Sequence, residues 1–168
     1  ATKPDTHCAQ LYRPLKNQAF DRMFYLMRTR FGAENISKYE SLRHIMSLKA
    51  NGTRTIIGFI SDQSPGWNSI HDWVTFLAQD TPVFTGTERI AKKVDAAIFF
   101  ADVCRIKRGY YRLTVRPMTD DVRSWPDYTV TERYMNELEA IIRRQPHLWL
   151  WSHKRWKHRR NPDGSRAD

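Results

Sequence analysis

Cysteine is almost missing from this sequence. Cys8 and Cys104 are the only two, far apart and without the paired spacing of a zinc site. A disulfide framework is thereby excluded, and both thiols read as reduced. Long apolar runs are missing too. No stretch approaches the roughly 18 consecutive apolar residues that a membrane-spanning helix needs, and no signal-peptide pattern occurs. There is no Walker loop, no G-x-G-x-x-G, no zinc-type cluster and no nucleophile elbow. These absences remove the usual grounds for nucleotide binding, metal-centred chemistry and serine or cysteine hydrolysis. No metal and no cofactor are expected.

Acidic residues are the minority charge. Eighteen Asp and Glu stand against 28 Lys and Arg, a net +10 over 168 residues. Residues 153–168 hold six of the basic side chains (Lys154, Arg155, Lys157, Arg159, Arg160, Arg166) beside Asp163 and Asp168, yet the rest of the chain is basic as well. Such a surface favours anionic partners: nucleic acid, anionic lipid or an acidic carrier protein. Charge alone does not choose among them. An apolar content of 40% marks a folded chain, and the length suits one domain with a real core. Six Trp is a high number; Trp is favoured where an apolar phase meets water.

Strand and helix patterns alternate. Residues 6–12 read as a short strand and 17–31 as a helix, with Phe20, Met23, Phe24, Met27 and Phe31 on one face and Gly32 closing it. Residues 33–37 read as an extended link, and 39–50 as a second amphipathic helix. "RTIIGFI" (54–60) has the pattern of a strand buried on both faces. Residues 73–86 suggest two short strands about a Gln79–Asp80 turn, and 87–93 a helix capped by Thr87. "AAIFFADV" (96–103) reads as another buried strand, followed by a hairpin turning at Gly109. Thr129 and Glu132 form a capping-box pattern that opens a helix to about residue 144. "LWLW" (148–151) looks strand-like, and the chain from residue 157 looks solvated. The pattern predicts an α/β fold with a mixed, mostly parallel sheet flanked by helices.

One junction invites chemistry. In "GFISDQSPGW" (58–67) an apolar run ends at Asp62 and Gln63, then turns through Ser64–Pro65–Gly66 into Trp67. Sites in open α/β sheets sit at the carboxyl ends of strands. A helix cap or Asx-turn at a strand exit would explain the same carboxylate. Arg13 also follows a strand; in the same sheet it could pair with Asp62 or hold an anionic group. Trp67, Trp73 and Phe76 suit either core packing or an apolar wall for acyl chains. None of the six histidines sits beside a nucleophile in a recognisable elbow.

Four segments occur in a telling order: "LYRPLKN" (11–17), "FISDQSP" (59–65), "PVFTGTERIAKK" (82–93) and "HLWLWSHKRWK" (147–157). Together they closely resemble the bacterial lipid A biosynthesis (lauroyl/myristoyl) acyltransferases of the lysophospholipid acyltransferase superfamily, in a Bacteroidetes-like branch. The resemblance covers residue 6 to about 158. It implies an enzyme that moves a fatty acyl chain from acyl carrier protein or a coenzyme A thioester to a hydroxyl of a lipid A precursor. It implies Arg13, Asp62 and Gln63 at the catalytic site. Arg89, Lys92, Lys93, Trp67, His153 and Arg155 are expected toward the substrates. The expected place is the cytoplasmic face of the bacterial inner membrane, on an anionic surface, with no nucleic acid partner.

One departure qualifies this. The family's base is a His-x4-Asp/Glu pair upstream of the "YRP" strand, and the twelve residues before Arg13 do not hold it. His158 and Asp163 match the spacing, but in a polar, basic stretch with Pro162 between them. The expectation is therefore an N-terminally truncated acyltransferase, inactive alone. Residues 1–156 would be the C-terminal part of one acyltransferase domain, and 157–168 a basic, disordered tail. A non-catalytic module for anionic lipid or membranes is the alternative. A nucleic-acid-binding module is a weaker third, because no motif beyond charge supports it.

Overall fold

The computed structural model describes residues 5–167. They fall into two compact units, one ending at Ile60 and the other beginning at Ser61.

In the first unit, β1 (His7–Tyr12), β2 (Glu34–Ser37) and β3 (Thr55–Gly58) form a parallel sheet in the order β2-β1-β3. Parallel neighbours need crossovers, and α1 (Gln18–Thr29) and α2 (Ser41–Ala50) supply them. α1 begins where the Asn17 side chain accepts the N–H groups of Ala19 and Phe20 at 3.0 and 3.2 Å. It stops before Gly32, whose φ of 83° suits glycine. Glu34 ties three elements together: its carboxylate meets Nε2 of His7 on β1 at 2.7 Å and Nε2 of His44 on α2 at 3.0 Å. Burial pushes the Glu34 carboxyl up, but the hydrogen bonds from the two imidazoles outweigh it and hold the group below its ordinary value.

Two details differ from expectation. The supposed link at 33–37 contains β2, a polar four-residue strand recruited by register with β1. β3 is shorter than "RTIIGFI" and lies at the sheet edge, so it is not buried on both faces; Ile56 and Ile60 are 58% and 70% exposed.

The second unit is built on antiparallel hairpins. β4 (Trp73–Phe76) and β5 (Gln79–Pro82) are joined by Leu77 and Ala78, not by Gln79–Asp80. Both turn residues have positive φ, 50° and 62°, as a two-residue hairpin turn demands. The Leu77 N–H donates to Glu139 Oε2 at 2.7 Å, which fixes the turn against α4. α3 is Gly86–Val94, and β6 (Ile98–Lys107) and β7 (Tyr110–Thr119) turn at Gly109 as expected. β6 alternates instead of being buried throughout: Phe100 is inside, whereas Phe99 and Val103 are exposed. α4 (Thr129–Arg144) has the expected span. One part of its face packs with Phe76 and Val83 through Met135, Leu138 and Ile142. Another packs Val130 with Ala91, Phe100, Met118 and Val122. Tyr134 touches both clusters.

The capping box is replaced. Tyr128 is the N-cap, with no side-chain cap hydrogen bond. Buried Glu88 of α3 takes the N–H groups of Tyr128 and Thr131 and the Thr131 hydroxyl, all at 2.8 Å. A carboxylate at a helix N-terminus also opposes the positive end of the dipole. "LWLW" is not a strand: Pro146–Leu148 is a 3₁₀ turn, and Trp149 packs edge-on against Phe76, centroids 6.2 Å apart. Beyond residue 157, β8 (Arg159–Arg160) pairs with β9 (Arg166–Ala167), and Arg160 Nε lies 2.6 Å from Asp80.

Candidate active site

Asp62 begins the second unit's polar loop. Ser64 and Pro65 behind it are buried, and Gln63 is exposed. The segment after α4 straps this loop. The Ser64 N–H donates to Nε2 of His153 at 3.4 Å, so that nitrogen carries no proton when the bond is made. Nε2–H of His158 donates to the Pro65 carbonyl at 3.1 Å. Burial, then the neighbouring charge of Lys157, hold His158 below its ordinary value and keep it neutral. Trp67 is packed edge-on against Trp73 at 6.2 Å and tilted against His158 at 5.7 Å. Arg166 stands over its ring at 5.7 Å.

Arg155 is the centre of this strap. It is 1% exposed, and its guanidinium lies over the Phe76 ring at 5.8 Å. Its Nε, Nη1 and Nη2 have no hydrogen-bond partner among the described residues, and neither does the buried Oδ1 of Asp62. A buried cation that is not hydrogen-bonded is costly, by several kcal/mol. Burial accordingly pulls the Arg155 guanidinium down to about 10, against the attraction of Asp62. Tyr134 feels the same two charges: burial, then Asp62, raise its phenol well above the ordinary value, with Arg155 opposing. Tyr134 therefore stays a neutral hydroxyl at any physiological pH. The result is an apolar-walled centre with a carboxylate, a cation and a phenol, two of them short of partners.

The other expected site residues are distributed unevenly. Arg13 is exposed just past β1 and belongs to the first unit. Asp62, Trp67, His153 and Arg155 gather around one loop of the second. Arg89 and Lys93 are exposed on α3. Lys92 is committed to structure: its Nζ lies 3.2 Å from Glu88 and 2.6 Å from Asp127, and donates to the Trp125 carbonyl at 2.9 Å. His158 and Asp163 do not act together, since Asp163 accepts the Ser165 N–H at 2.9 Å. Sequence reasoning missed Tyr134, whose apolar helical spacing hides its hydroxyl. It also missed Glu88, for which the i,i+4 spacing to Lys92 was the available signal.

The second unit thus gathers a loop-borne carboxylate, a buried guanidinium and a buried phenol around one loop. The chain belongs to the family described as bacterial lipid A biosynthesis acyltransferase, whose family model matches residues 2–158. Comparison with curated proteins gives no match.

Proposed function

We propose that the chain serves transfer of a fatty acyl group from acyl carrier protein, or a coenzyme A thioester, to a hydroxyl of a lipid A precursor at the cytoplasmic face of the inner membrane. Family membership supports acyl transfer in general. The observation that carries the site is the buried, unpartnered Arg155 guanidinium, which feels the charge of Asp62. In this reading Asp62 and exposed Gln63 meet the acceptor. Arg155 is too enclosed to touch substrate, so it acts as a positioning residue for the Asp62 loop. Arg13, Arg89 and Lys93 supply charge for the phosphorylated acceptor and the acidic carrier, and Trp67 and His153 shape the loop.

The reaction balances as follows. The acceptor hydroxyl gives its proton to a base, and its oxygen forms an ester bond with the thioester carbonyl carbon. The C–S bond breaks, and the carrier thiol leaves with the proton. Residues 1–12 hold no His-x4-Asp/Glu pair to act as that base. The 168-residue chain incubated with labelled acyl carrier protein and a lipid A precursor is therefore expected to give no acylated product. Robust turnover would overturn the reading that these residues lack the base.

A second reading, a non-catalytic binder of anionic membranes, is favoured by one observation: the exposed apolar side of α1. Among the described residues no helix is long and apolar enough to cross a membrane.

A further inference from the structure

Within the first unit, α1 carries an apolar stripe left exposed by the sheet beside it. Phe20, Met23, Met27 and Phe31 follow one another at helical spacing, and they are 56%, 44%, 55% and 85% exposed. Leu26 beside them is exposed as well, and no residue of the helix is buried. A helix that only completed the sheet would turn this stripe inward. Instead only Phe24 of that face is half-buried, together with Asp21, Arg28 and Thr29, and Arg28 stacks over the rings of Tyr12 and Phe24 at 5.9 and 5.4 Å.

The charges around the stripe are one-sided. Residues 13–31 contain Arg13, Lys16, Arg22, Arg28 and Arg30 against a single acid, Asp21. Asp21 is spent locally, accepting the Leu15 N–H at 2.8 Å. Arg30 lies over the Phe31 ring at 4.7 Å, its charged head beside the most exposed aromatic of the stripe. Apolar rings and thioethers bordered by long cationic side chains are what a helix lying in the headgroup–acyl boundary presents, with the arginines reaching back to the phosphates.

We infer that α1 is an interfacial helix that seats the first unit on an anionic bilayer. It inserts Phe20, Met23 and Met27, with Phe31 in the turn that follows, and sets Arg22 and the C-cap Arg30 on lipid phosphates. This extends the membrane-face part of the proposed function. It rests on α1 alone, and its test involves no acyl donor, so either can fail without the other.

The test is co-sedimentation of the 168-residue chain with vesicles of phosphatidylcholine alone or with about one third phosphatidylglycerol, with helicity followed by circular dichroism. The unaltered chain binds the anionic vesicles, and weakens as salt rises. The double variant Met23→Ser/Met27→Ser, at exposed positions, keeps its helicity and binds at least about tenfold more weakly. Arg22→Gln/Arg30→Gln loses the preference for anionic over neutral vesicles. Leu113→Ser/Val115→Ser, on the exposed β6–β7 hairpin, leaves binding unchanged. The inference is overturned if the hairpin variant abolishes binding while the α1 variants do not. It is equally overturned if the methionine variant turns a dimer into a monomer with vesicle binding intact, since the stripe then covers a second copy of the chain.

Discussion

The second unit contains two buried charges, and they are treated in opposite ways. Around Glu88, every donor needed is in place: two backbone N–H groups, a threonine hydroxyl and the Lys92 ammonium. Around Arg155, a guanidinium of comparable burial has an aromatic ring and the attraction of Asp62, and no hydrogen bond among the described residues. The Glu88 knot fastens α3 to the start of α4 and explains itself as architecture. The Arg155 centre costs stability where it stands, a cost the fold itself does not explain and the proposed site would. The contrast separates what the fold requires from what the site requires.

Removing Glu88 should show the largest effect. Glu88→Ala strips the start of α4 of its acceptor and leaves Lys92 half-satisfied, a loss of about 3–5 kcal/mol in urea unfolding. Glu139→Ala is expected to cost less, about 1–2 kcal/mol, because it orphans one N–H in the Leu77 turn. Ala78→Gly works in the other direction: relieving a left-handed φ of 62° at an exposed position stabilises by about 1 kcal/mol.

The strap over Asp62 has its own pH dependence. Folding holds His158 below the ordinary value of 6.5, so the unfolded chain binds a proton there first. The stabilising contribution is full above that value and is lost as pH falls through the folded value. Unfolding free energy measured from pH 7.5 down to 5 should decline, and His158→Gln, which can still donate to Pro65, should flatten part of that slope. A slope unchanged in the variant would separate His158 from the effect. No loss of stability is expected at Arg155: Arg155→Met exchanges an unsatisfied buried cation for an apolar side chain and should be neutral or stabilising, by up to about 4 kcal/mol.

Much of the fold was legible where local chemistry is strong. α4 has its expected limits because Leu138 and Ile142 keep helical spacing and Pro146 follows, and the β6–β7 turn falls on Gly109. What failed did so for tertiary reasons. β2 is polar and exists because β1 offers it a register. "LWLW" alternates like a strand, but Pro146 opens a 3₁₀ turn and Trp149 is drawn onto Phe76. Thr129 and Glu132 had the right spacing for a capping box, yet Glu88, forty residues before Tyr128, made those bonds available from another helix. At the site, Asp62 was visible as a carboxylate ending an apolar run. The burial of Arg155 was not: the sequence placed it toward the substrates, and an arginine between Lys154 and Lys157 gives no sign of enclosure.

The central claim is that Arg155 is kept for the site and not for the fold. It is tested most directly by urea unfolding of Arg155→Met with and without a phosphorylated lipid A precursor. A ligand that binds only the folded chain raises its unfolding midpoint. The parent chain should gain stability from the precursor, whereas Arg155→Met should be at least as stable as the parent without ligand and gain little or nothing with it. A variant that is several kcal/mol less stable, yet is stabilised by the precursor as much as the parent, would contradict the claim.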